Sequence, residues 1–142
     1  MIFDKKYEDR LANWHDFRGT LELADDPLQE VINLYNQVSL VSIHTDPWDP
    51  EMWPNPWELI NENQYCDFCK LLGMCYTLQL TDRFIGSNFE IHIGVDTEKS
   101  ETYYLLFVDD RVLNYDKDTH IAREELPKSF QSQTQYPMPC LQ

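Results

Sequence analysis

The first quarter of the chain carries its apolar residues at helical spacing. Tyr7, Leu11, Trp14, Phe17 and Leu21 follow one another at intervals of four, three, three and four, which predicts one face of a helix over residues 4–24. Asp25-Asp26-Pro27 ends that helix and starts another: Asp26 stands at the cap, Pro27 at the first helical position and Gln29 three after the cap. Leu28, Val31, Ile32, Tyr35 and Val38 give the second stripe. Residues 39–44 are a short apolar run expected to be extended. A loop with Pro47, Pro50 and Pro54 follows, and it ends in Asn55-Pro56-Trp57-Glu58, a capping-box arrangement that predicts a helix from Pro56 to about Glu62. The next helix is expected to start near Gln64. Its apolar residues, among them Tyr65, Phe68, Leu71, Leu72, Cys75, Tyr76 and Leu78, cover most of its circumference, so it should be buried on most sides. Gly73 in its middle costs about 1 kcal/mol against alanine and therefore marks a close approach.

Beyond residue 80 the period changes to two. Phe89, Ile91, Ile93 and Val95 alternate with Glu90, His92 and Gly94, a half-buried strand. Residues 102–108 are apolar on both faces and read as a central strand, and residues 112–115 follow across a tight turn at Asp109-Asp110-Arg111. A three-stranded antiparallel meander is the simplest arrangement. Helices first and strands afterwards is the α+β pattern: N-terminal helices, a central buried helix and a small antiparallel sheet. The expected organisation is one domain over residues 1–130 and a C-terminal tail over residues 131–142, where no period is visible.

The proline-rich loop is stiff, because each proline fixes its own φ and restricts the residue before it. Trp48, Trp53 and Trp57 fall within ten residues of it. Three exposed indoles would present roughly several hundred Å2 of apolar surface, so the loop packs on its own domain or on a partner. Tryptophan is frequent at binding hot spots, and a rigid loop loses little entropy when it docks. Trp48 and Trp53 are the expected binding residues, together with Tyr136 and Met138 of the tail, while Trp57 is expected to face the core.

Composition narrows the function. A chain of 142 residues with 42% hydrophobic content holds a real core. It has no apolar run long enough for a transmembrane helix, and its charged start, MIFDKKYEDR, lacks the apolar region of a signal peptide. The net charge of −14 argues against nucleic acid and anionic membrane as partners, since phosphate binding needs Lys and Arg. Residues 19–69 contain no Lys or Arg at all but ten Asp and Glu. Such an acidic face keeps a protein soluble, steers a basic partner or mimics DNA.

Three of the four cysteines lie on the long apolar helix, where their plain role is that of small core residues. A catalytic reading also exists. Cys66 lies near the helix start, where the macrodipole favours a thiolate, and His92 and Asp116 follow on the strands. Cysteine on a helix, then histidine and aspartate on a sheet, resembles the chain order of transglutaminase-like and papain-like cysteine hydrolases. In those families the acid orients the histidine and the histidine activates the thiol. The run YLLFVDDRVLNYD over residues 104–116 looks like the family's hairpin. In that register the histidine position holds Tyr104, so His92 would have to come from a neighbouring strand. The resemblance covers residues 57–116 and implies Cys66, His92 and Asp116 as catalytic residues of a hydrolase or amidase.

Cys66-x-x-Cys69 also has the spacing of a zinc knuckle or of a redox pair. It lacks the knuckle glycine and a second matching pair, which leaves Cys75, Cys140, His44, His92 or His120 as further ligands, and no metal or cofactor is expected. WHDF at Trp14, PWELI at Trp57 and LGMCYTLQL at Met74 resemble proteins encoded by contractile-tailed phages of marine bacteria. That resemblance implies a virion or phage accessory role and assigns no residue. The leading expectation is a non-enzymatic phage structural or accessory protein. It would act through contacts with other protein subunits, a homo-oligomer among them, in the virion or the host cytoplasm. The alternatives are the cysteine hydrolase and an acidic DNA-mimic inhibitor.

Overall fold

The structure, a computed structural model, describes residues 1–42 and 45–141. It is an α+β fold in which four α-helices precede a five-stranded antiparallel sheet of order β4-β3-β2-β1-β5. The helices are α1 (Tyr7–Leu21), α2 (Pro27–Tyr35), α3 (Pro56–Glu62) and α4 (Asp67–Gln79). The strands are β1 (Phe89–Asp96), β2 (Glu101–Val108), β3 (Arg111–Leu113), β4 (Ile121–Ala122) and β5 (Phe130–Pro137). Both expected caps are present. Asp26 accepts from the Gln29 amide, and Asn55 and Glu58 make the full reciprocal capping box. The first helix is shorter than expected, because Ile2–Asp4 form a separate 3-10 turn. Tyr7 of the expected stripe stands at the surface, and Arg10 is buried in its place. Leu40 and Tyr65 form an isolated parallel bridge. Ile43 and His44, at the end of the run expected to be extended, lie outside the described residues.

The core is organised on α4. From Leu71 to Gln79 every residue is buried, and the helix packs between α2 and the sheet. Gly73 marks a close approach, and the group that comes close is the Tyr35 ring of α2: any Cβ at position 73 would collide with it. One turn on, the fully buried Thr77 hydroxyl joins three helices. It accepts from Trp14 Nε1 of α1 at 2.9 Å, lies 3.0 Å from the Tyr35 hydroxyl, and donates to the Gly73 carbonyl at 2.7 Å. Burial pushes the Tyr35 phenol up to about 12 and so keeps it a neutral donor to Thr77.

Three of the five arginines go to helix C-termini, and none pairs with a carboxylate among the described residues. Arg10 donates to the Ile60 and Asn61 carbonyls at the end of α3. Arg83 donates to Leu21 and Ala24 at the end of α1, and Arg18 to Leu80 at the end of α4. Unpaired helix-end carbonyls and the negative end of the macrodipole account for this preference. Among the described residues the acid–base contacts all involve histidine, so the acidic surface is left without Lys or Arg partners.

The sheet has two unlike faces. Phe89, Ile91, Leu106, Val108 and Leu113 face the helices. Leu105, Phe107 and Val112 face the other way, where Ile121, Leu126 and Phe130 cover them. The segment expected as a tail is the main departure from the sequence reading: Phe130–Pro137 is an edge strand on β1. Its alternation is hidden by a register shift between Ile93 and Gly94, and the glycine permits it, since a Cβ there would meet the Gln131 carbonyl and the Phe130 ring.

Thr77→Val removes the hydroxyl and leaves the Trp14 N–H and the Tyr35 hydroxyl buried without partners. At about 1–3 kcal/mol for each of the two groups, urea unfolding should show a loss of roughly 2–6 kcal/mol, and Thr77→Ser should retain most of the stability. A loss below about 1 kcal/mol for Thr77→Val would contradict the role of the hub.

Candidate functional site

Three of the four expected binding residues meet at one place. Trp53 of the proline-rich loop stands edge-on to Tyr136 of β5 at a centroid distance of 5.0 Å, and its other side packs on Phe68 of α4 at 4.9 Å. Met138 follows directly on β5. Together with Pro54, Tyr76 and Leu141 they line an open groove of about 370 Å3. The groove is rigidly built. The Tyr76 hydroxyl donates to the Pro54 carbonyl at 2.7 Å, Trp53 Nε1 donates back to the Asp46 carbonyl, and Gln79 Nε2 donates to the Pro139 carbonyl at 2.9 Å. These bonds engage the Tyr76, Trp53 and Gln79 donors inward, and the groove surface is mainly apolar. A second hollow, of about 310 Å3, adjoins it across Met138 and Leu141 and carries the exposed Ile85. On the loop side, Glu51, Glu58 and Glu62 form an acidic rim beside Trp53.

The other two loop tryptophans depart from expectation. Trp48 is half-exposed and lies outside the groove. Trp57, expected in the core, is also half-exposed, and one edge rests on the buried Trp14 at 5.7 Å. The reason is the capping box. It places Trp57 early in α3, where Leu59 and Ile60 take the inward positions.

The proposed catalytic residues are not brought together. Cys66 caps α4, one residue before its first helical position, and belongs to the core on the helix side of the sheet. His92 points to the opposite face. Its ring stacks on Phe107 at 3.9 Å, and its nitrogens bond Ser132 Oγ at 2.7 Å and Glu90 Oε1 at 2.9 Å. A carboxylate only accepts, so Nε2 carries the hydrogen and Nδ1 takes that of Ser132. Asp116 is exposed beyond β3 and accepts from the Asp118 amide. The residue that does face Cys66 is Tyr104, which shares with it a hollow of about 260 Å3. Burial, then the charges of Asp67 and Cys66, push the Tyr104 phenol up and away from base chemistry near neutral pH.

The residues weighed as metal ligands are dispersed as well. His120 bonds Asp26 and Arg111, Cys75 contacts Gln79, and His44 lies outside the described residues. Among the described residues no three His, Cys, Asp or Glu side chains converge as a metal cage. Gln79, Pro54 and Tyr76, which shape the groove, were missed in the sequence because they look like ordinary helix and loop residues. The buried bonds that place them join residues distant along the chain. No protein-family model, curated protein or solved structure matches the chain.

His92 gives a pH signature of the β1–β5 junction. Burial lowers its pKa, Arg123 adds to the effect, and Glu90 opposes it. The folded protein therefore binds fewer protons at this site than the unfolded chain. The contribution is fully present above the ordinary value of 6.5 and is lost as pH falls through it towards the folded value. Stability of the wild type should drop as pH falls below about 6.5, and His92→Gln should flatten that slope in denaturant titrations. An unchanged slope would mean that His92 does not titrate on unfolding.

Proposed function

We propose that the protein is a non-enzymatic phage structural or accessory component that acts through protein–protein contact at the Trp53–Tyr136–Met138 groove. The observation that carries the contact mechanism is the convergence of these three residues, far apart in the chain, around an open apolar surface whose walls are already bonded in place. Preorganisation of this kind lowers the entropy cost of docking. The phage setting rests on the sequence resemblance alone. The acidic rim of Glu51, Glu58 and Glu62 favours a partner segment that is apolar in its middle and basic at its flank. The placement of Tyr104 opposite Cys66 supports a transglutaminase-like plan in which the catalytic histidine has been replaced. This reading explains a cysteine-bearing helix and a sheet without an assembled triad.

The test uses polar replacements on the open side of the groove, where folding is least affected. Met138→Asn with Leu141→Asn should keep a cooperative fold, with some loss of melting midpoint because Met138 touches the core, and remove the protein from particles purified from phage-infected cells, where the wild type is retained. Equal incorporation of the double variant would overturn the assignment of the groove. Absence of the wild type from particles, combined with a monomer that carries no bound protein in the cell, would overturn the reading as a whole.

A further inference from the structure

We propose that Cys66 and Cys69 form a reversible disulfide, which makes the start of α4 a thiol–disulfide exchange site for small or peptide disulfides. Cys66 is the cap and Cys69 the third helical residue. The Cys66 sulfur accepts the Cys69 amide at 3.5 Å, which turns it onto the first turn beside the second thiol. Helical spacing would put the two Cβ atoms about 5 Å apart, a little beyond the roughly 3.5–4.5 Å of a disulfide, and the closure falls to Cys66, whose backbone is extended rather than helical. The chain also enters the motif from an extended residue: Tyr65 is bridged to Leu40, and its carbonyl accepts from the Val41 amide at 2.9 Å.

The two thiols are unequal, which gives the reaction its order. Cys66, itself only 2% exposed, lines the hollow beside Tyr104, with Thr45, Pro47 and Phe68 around it. Cys69 lies behind, fully buried, and donates its S–H to Thr45 Oγ1 at 3.2 Å. Its contact with Cys66, followed by burial, holds the Cys69 thiol far above its ordinary range, as suits a group that acts second. Cys66 as thiolate attacks one sulfur of an incoming disulfide, which forms a mixed disulfide and expels the first thiolate. Cys69 then attacks the Cys66 sulfur, passes its proton to the departing thiolate and expels it. The protein loses two electrons and two protons, and the co-reactant disulfide becomes two thiols. A metal role for the same pair lacks further ligands among the described residues. The proposal is independent of the groove, which lies elsewhere on α4.

The native protein is equilibrated in glutathione buffers of graded oxidised fraction, quenched in acid, unfolded, alkylated and digested with trypsin. Residues 19–70 contain no Lys or Arg before Lys70, so Cys66 and Cys69 share one peptide that excludes Cys75 and Cys140. That peptide should be doubly alkylated at the reducing end. At the oxidising end it should be lighter by two hydrogens and unalkylated, with the same midpoint approached from either side. Cys69→Ser should trap glutathione on Cys66. Double alkylation in every buffer, oxidation only after denaturation, or an adduct confined to Cys140 would overturn the proposal. The wild-type series decides by itself if the variant fails to fold.

Discussion

The Thr77 hydroxyl is the point on which the helical layer depends. It is small enough to let the Tyr35 ring close over Gly73, and it has the bonding capacity to satisfy Trp14 and Tyr35 at once. Each of those groups buries a large aromatic ring and would be costly to leave unpaired. The hydroxyl therefore sets the spacing of α1, α2 and α4, while the same helix presents Phe68 to Trp53 of the loop and Tyr104 of the sheet, and Tyr76 to Pro54 of the loop. The geometry of the groove follows from that placement, because its floor is Tyr76 and Gln79 of α4.

Charge is handled by a different rule. Three of the five arginines close helix ends, and the Arg10 and Arg83 guanidiniums each satisfy more than one carbonyl there. Apart from the buried Asp96, which accepts the Glu98 and Lys99 amides, most acidic side chains stay in water, unpaired by Lys or Arg among the described residues. Ionic strength should therefore matter more to encounters with other molecules than to the internal contacts of the fold.

Local signals read well in the sequence. The two caps at Asp26 and Asn55 rest on interactions within a few residues, and the period of two at Phe89, the breadth of the apolar face of the long helix and its central glycine foretell burial and a close approach without naming the partner, Tyr35. What was not legible depends on distant partners. β5 hides its alternation behind a bulge that exists because Gly94 has no side chain. The start of α4 moved from Gln64 to Asp67 because Tyr65 bridges to Leu40 and Cys66 serves as the cap. Trp53, Tyr136 and Met138 were visible as residues suited to contact, yet their meeting required the edge strand that the sequence reading took for a tail. His92 was visible as a histidine on the less apolar face of its strand, and that same alternation carries it away from Cys66.

The fold thus has a fixed axis, α4, and a contact surface assembled at its periphery from a stiff loop and an edge strand. Native-state hydrogen exchange tests this division most directly. The amides of residues 72–79 should exchange only through global unfolding, at the free energy obtained from urea denaturation, while those of β5 should open at lower cost. Exchange of α4 at a lower free energy than β1 and β2 would place the stable core in the sheet and contradict the account.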